Sequence, residues 1–153
     1  TTNDSIVWFP DRSTLFCGDL VFNGGTPFLL MGSVIGAIDV LENVIAPLGA
    51  QTTVPGHGPV FHDHAPLNAT LDYLRFVLDL AERGRAAGLT PLQAACDTDL
   101  GRFTDWPDAE RLVGNLHRAY AELDGLARGG QIDVFGALDD MVTYHGGPLT
   151  CFA

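Results

Sequence analysis

The chain has 153 residues, 46% of them hydrophobic, which is enough for one domain with a real core and argues against a disordered tail. Its formal charge of -11 sets 19 acidic residues against eight arginines, with no lysine and no basic cluster, so nucleic acid is excluded as the expected partner. No apolar run nears the roughly 20 residues that span a bilayer, and the opening Thr1-Thr2-Asn3-Asp4 lacks the layout of a signal peptide, so the expectation is a soluble, cytoplasmic protein with no membrane partner.

Residues 5–9 (SIVWF) and 14–17 (TLFC) are short apolar runs separated by Pro10-Asp11-Arg12-Ser13, a turn signal, and together they predict a β-hairpin. Gly18-Asp19 follows directly, which places the Asp19 carboxylate at an expected strand end, where open α/β sheets carry their ligand sites. Taken alone, an Asp after a Gly at such a place is more often a turn former or a helix cap. Asn23-Gly24-Gly25-Thr26-Pro27 reads as a loop, and behind Ser33, a good N-cap, Val34, Ile38, Leu41 and Ile45 recur at helical spacing.

Residues 51–54 (QTTV) form a strand candidate that runs into Pro55-Gly56-His57-Gly58-Pro59, whose prolines and glycines predict a rigid, irregular loop holding His57. Backbone this small lets a metal or substrate approach the imidazole closely; an ordinary solvent-exposed loop histidine is the competing reading. From there Leu67, Leu71, Leu74, Leu78 and Ala81 mark one face of a long helix that ends near residues 84–88.

Thr90-Pro91-Leu92-Gln93 combines an N-cap, a first-turn proline and a capping-box glutamine, and opens a short helix. A longer helix follows Pro107, with Asp108 and Glu110 in its first turn and Leu112, Leu116, Tyr120 and Leu123 as its apolar face, and residues 132–144 make a last helix. The order predicts an α/β fold over residues 1–88 with a helical C-terminal extension over 89–153 packed on the same domain. Three short strands are too few for a self-sufficient sheet, yet their apolar runs expect burial on both faces, so the sheet is expected to be completed by something else.

The other chemistry-bearing residues receive plainer readings. Cys17, Cys96 and Cys151 fit neither a disulfide framework nor a CxxC zinc pattern, and Cys17 in its apolar run reads as a small buried thiol. His62 and His64 imitate a His-x-Asp-His metal motif but read as a solvent-facing lead into the next helix, and His117 reads as a packed, hydrogen-bonded histidine. His145, in the glycine-broken ending YHGGPLTCFA, either folds back over a pocket or lies on a subunit contact, and the sequence leaves both open.

The pairing of LFCGDLVF with a downstream VPGHGPV resembles the metallo-β-lactamase superfamily, in particular its glyoxalase-type and hydrolase branches. The resemblance implies the C-terminal half of the αββα sandwich, with Asp19 and His57 as ligands of a site that holds two zinc ions, Asp19 bridging them and also serving catalysis. The family's His-x-His-x-Asp-His motif has no counterpart here, so the resemblance further implies a partner: an N-terminal half of the same protein that supplies the remaining ligands.

The stretches TPLQAACDTDLGRF, ERLVGNLHRAYAEL and YHGGPLTCFA are similar to actinobacterial members that include aromatic polyketide cyclases. What this implies is a zinc-dependent ring closure on a polyketide, with thioester hydrolysis as an accompanying activity. Zinc would act as Lewis acid on a ketone and Asp19 as proton acceptor. Phe28 and Asn23, in the loop beside Asp19, are the candidate substrate-pocket residues, Phe22 is assigned to the core, and Trp8 and Met31 to either. A plain metallo-hydrolase of a thioester, lactone or related ester is the alternative among enzymes, a metal-free fragment or interaction module the alternative outside them, and a homodimer of the assembled enzyme is among the expected assemblies.

Overall fold

The computed structural model describes residues 3–149; Thr1, Thr2, Thr150, Cys151, Phe152 and Ala153 lie outside them, and so does the Cys151 reading. Its architecture is α/β: β1 (Val7–Phe9), β2 (Thr14–Phe22), α1 (Val34–Val40), β3 (Thr52–His57), α2 (Ala65–Ala86), α3 (Pro91–Cys96), α4 (Arg111–Leu123) and α5 (Val134–His145). The three strands form one mixed sheet in the order β1-β2-β3, β1 antiparallel to β2 and β3 parallel to it across the α1 crossover. No helix among the described residues is long and apolar enough to cross a membrane.

The expected hairpin is present, with Val7 facing Phe16 and Phe9 facing Thr14. Two expectations about strand ends are corrected. β2 does not stop at Cys17 but continues through Asp19 to Phe22, because Gly18 takes a left-handed φ of 51° and absorbs a register shift in mid-strand. β3 likewise continues through Pro55 and Gly56 to His57. Proline is tolerated because β3 is an edge strand, and Pro55 lies opposite Gly18, where the pairing is already irregular. The far side of β3 is met by its own chain, Thr53 and Phe61 exchanging both backbone hydrogen bonds.

Alternation along β2 buries Leu15 and Cys17 beneath the helices and leaves Phe16 exposed on the other face, beside Val7 and Phe9. One apolar cluster runs from Leu15 and Val21 through Leu71, Leu74 and Val77 of α2 to Leu112 and Leu116 of α4 and Met141 of α5, so residues beyond 88 share a core with those before it. Tyr73, Phe103 and Trp106 pack ring against ring at its flank.

Caps are placed as the sequence predicts at Ser33, whose Oγ accepts from Gly36 N–H, and at Thr90, where the full capping box with Gln93 forms. Other boundaries move. The long helix starts at Ala65, and Leu78 is only half-buried, while Val77 and Leu80 point inward. The fourth helix begins at Arg111, after Asp108 with a φ of 59°, so Asp108 and Glu110 precede its first turn. The last helix begins at Val134, where the Asp133 side chain caps it.

Candidate functional site

Because β2 bends at Gly18 while β3 runs alongside, Asp19 and His57 are carried to the same place from strands 38 positions apart in the chain, and His57 Nε2 lies 3.5 Å from Asp19 Oδ1. The Asp19 side chain is 70% exposed and that of His57 30%, so both donor atoms remain reachable. The imidazole stacks on Phe22, centroids 4.5 Å apart and nearly parallel, which fixes the ring plane. Phe22 is held in turn by buried Thr70 of α2, whose hydroxyl donates to the Phe22 carbonyl at 3.0 Å.

Both glycines flanking His57 are demanded by this crossing. A Cβ on Gly56 would sit 2.0 Å from Asp19 Oδ1 and 2.7 Å from the Asp19 backbone nitrogen. Gly58 has a φ of 88°, and a Cβ there would lie 2.0 Å from the Asn23 carbonyl oxygen. Asn23 fastens the same loop, its backbone N–H donating to the His57 carbonyl at 2.9 Å and its side-chain amide to the Pro59 carbonyl at 2.8 Å.

Beside Asp19 opens a cavity of about 490 Å³ whose walls include Leu20, Phe28, Leu29, Met31 and Val40. Phe28 and Met31 line this cavity, while Phe22 is in the core and Trp8 is half-buried against it. Asn23 is not among the residues lining this cavity, and its polar groups hold the loop that carries His57. Sequence reasoning also missed Asp4 and Arg128, which line the cavity from segments without a motif.

The remaining candidates stand apart from this pair. His62 Nδ1 meets the Thr52 hydroxyl at 3.1 Å, His64 is exposed at the start of α2, and Asp63 caps Ala65 N–H. His117 makes the expected hydrogen bond, half-buried, Nε2 to Asp140 Oδ2 at 2.8 Å, and His145 faces buried Glu110 at 3.7 Å. Burial pushes the Cys17 thiol up from 9.0 to about 11, which leaves it protonated and unreactive at neutral pH.

Whether zinc fits the pair is a question of donor chemistry and spacing. A charge-assisted hydrogen bond between carboxylate and imidazolium would draw the atoms to about 2.7–2.9 Å. Two ligands of one tetrahedral zinc, each at about 2.0–2.1 Å, stand roughly 3.3–3.4 Å apart. The observed 3.5 Å lies nearer the second value, and an oxygen with an imidazole nitrogen is a zinc donor set. The pair fits as part of a ligand shell. It is not a complete one, since among the described residues no group of three or more His, Cys, Asp or Glu is placed to hold a metal ion. Neither a protein-family model nor a curated protein sequence matches the chain, which leaves the Asp19–His57 pair and the cavity beside it as the observations that bear on function.

Proposed function

We propose that the chain is part of a zinc-dependent enzyme acting on carbonyl substrates, closing a ring on an aromatic polyketide intermediate and related in fold to the C-terminal half of a metallo-β-lactamase. The observation that carries this reading is the 3.5 Å approach of Asp19 and His57 from adjacent strands, with Asp19 also lining a largely apolar cavity. Asp19 and His57 would hold the metal. Bound there, zinc supplies Lewis-acid polarisation of a substrate carbonyl.

The chain's own residues account for the rest. His57 is oriented by Phe22 and by the Asn23 hydrogen bond to its carbonyl, so its Nε2 is presented without a search through rotamers. Asp19, with one oxygen toward His57 and most of its side chain in solvent, is placed to accept a proton from carbon beside a carbonyl held in the cavity. Leu20, Phe28 and Leu29 offer the apolar surface that a flat, partly aromatic molecule needs.

The missing ligands would come from a second segment of polypeptide bearing further histidines. Its seat is the outer sheet face, where Val7, Phe9 and Phe16 are exposed together, Phe9 and Phe16 in edge-to-face contact 6.0 Å apart. Cys17 and Cys96 are free thiols, which suits a reducing, cytoplasmic setting.

Zinc content of the purified protein, with its companion segment, tests the ligand assignment. Asp19→Ala and His57→Ala should each deplete it and His64→Ala should not; zinc lost on His64→Ala but kept on His57→Ala would sink the reading. Incubation with a poly-β-ketone mimic and with an acyl thioester then decides the reaction: ring product without free acid supports the cyclase, free acid alone the hydrolase.

A further inference from the structure

The cavity wall opposite Asp19 is built by residues 26–35, a segment that crosses the molecule with almost no regular structure until α1 begins at Val34. Its backbone is held from behind by α4. Arg111 donates to the Thr26 carbonyl at 3.0 Å; Asn115 donates to the Pro27 carbonyl at 2.8 Å and accepts Leu29 N–H at 2.7 Å. Arg118 donates through Nε and Nη2 to the Leu30 carbonyl at 3.0 and 2.7 Å, and Glu122 accepts Ile35 N–H at 3.1 Å.

Positions 111, 115, 118 and 122 recur at helical spacing, so these four side chains form a single stripe on α4. Asn115 and Arg118 are fully buried, Glu122 nearly so, and the Arg111 side chain is 12% exposed. Burying an amide, two guanidinium groups and a carboxylate in a helix face is costly unless every group finds a partner. Here most partners are backbone groups of one loop, at residues 26, 27, 29, 30 and 35, with Arg111 also paired to the buried Asp108 carboxylate at 2.8 Å, while Glu122 Oε1 is left without a hydrogen-bond partner among the described residues. Arg118 also donates to the Gly130 carbonyl at 2.8 Å, which ties in the turn that brings Arg128 to the cavity.

The side chains that this loop presents toward the cavity are apolar, and two are left in water, Phe28 at 42% and Met31 at 58% exposure. A wall that is rigidly templated from behind yet apolar and uncovered in front has the character of a binding surface. A volume of about 490 Å³ admits a small molecule, not a helix; Arg128 in its wall is ion-paired with Asp39 at 2.9 Å, and Asp4 and Asp19 also line it, so an anionic ligand is disfavoured.

We infer that residues 26–35 are a preset binding wall for a flat, uncharged apolar small molecule, shaped by the buried stripe Arg111, Asn115, Arg118 and Glu122 acting as positioning residues. This deepens the proposed reading by naming the surface that takes the body of the substrate, and it rests on that reading only for the substrate's identity.

The test uses the intact protein and the neutral aromatic probe N-phenyl-1-naphthylamine, with affinity read by fluorescence and loop order by amide hydrogen exchange. Wild type should bind the probe, and Ala37→Trp, which fills the cavity from α1, should abolish binding. Arg118→Lys keeps the charge but loses the fork that spans two carbonyls, and Arg111→Lys keeps the charge facing buried Asp108 but loses the guanidinium that reaches the Thr26 carbonyl. Each should weaken the probe by about tenfold, the order of a misplaced apolar contact in a fitted pocket, while faster exchange stays confined to residues 26–35 and, for Arg118→Lys, 127–130. Absence of probe binding in wild type, binding untouched by Ala37→Trp, unchanged affinity in both stripe variants, or exchange that rises throughout the molecule would each overturn the inference. Zinc content is a separate readout, so failure of the metal site and failure of this wall are told apart.

Discussion

At the scale of single residues the chain spends its glycines where two strands cross. Gly56→Ala would drive a methyl group into Asp19 from both side chain and backbone, and no rotamer relieves a backbone clash. It should destabilise by about 1–3 kcal/mol or more and displace Asp19, seen as a lower melting temperature together with lost zinc. Cys17 offers a different test. Its thiol is raised by burial from 9.0 to about 11, so the folded state keeps its proton longer than the unfolded chain does. The stability this contributes is whole below pH 9 and declines as pH climbs toward about 11, which urea midpoints on either side of that window will show. With Cys96 and Cys151 changed to serine, Cys17 should resist alkylation until the protein is unfolded. That Asp19 and His57 lie side by side was legible from their two motifs. The demand on Gly56 was not, since it depends on how β2 and β3 pass each other, and the tie of Asn23 to the His57 loop was hidden for the same reason.

At the scale of elements, caps and polar stripes outweigh surface ion pairs. Thr90→Ala removes one half of a capping box and should cost about 1 kcal/mol. Breaking the exposed Arg83–Asp79 pair should cost no more than about 0.5 kcal/mol. Asn115→Leu preserves volume but strands Leu29 N–H and the Pro27 carbonyl, and about 1–3 kcal/mol is expected; denaturant unfolding of the three variants checks the ranking. Element existence could be read from the chain wherever periodicity or a cap was strong, as at Ser33 and Thr90. Strand ends could not, because Pro55 and Gly18 look like breakers until their pairing partners are known. The α4 stripe escaped notice for a related reason: Arg111, Asn115, Arg118 and Glu122 look like a solvated face, and only the loop that covers them shows otherwise.

At the scale of the whole molecule the sheet has one covered face and one bare. Phe16→Glu places a charge at the centre of the bare face without touching the core and should lower any self-association and any binding of a companion segment, as measured by sedimentation. Unchanged association would mean that this face is not where partners meet. The apolar runs predict burial on both faces of the sheet, whereas the structure covers one; which face that is depends on the helices, and these choose the side of Leu15 and Cys17. The Thr53–Phe61 bridge adds an asymmetry at the rim. With β3 bridged by its own chain at Thr53 and interrupted by a proline, the more open rim among the described residues is the side of β1, where β2 runs on from Cys17 to Phe22 past the end of β1. Two molecules meeting along that rim would do so across a twofold axis and cover both, which favours a closed pair over an endless ribbon.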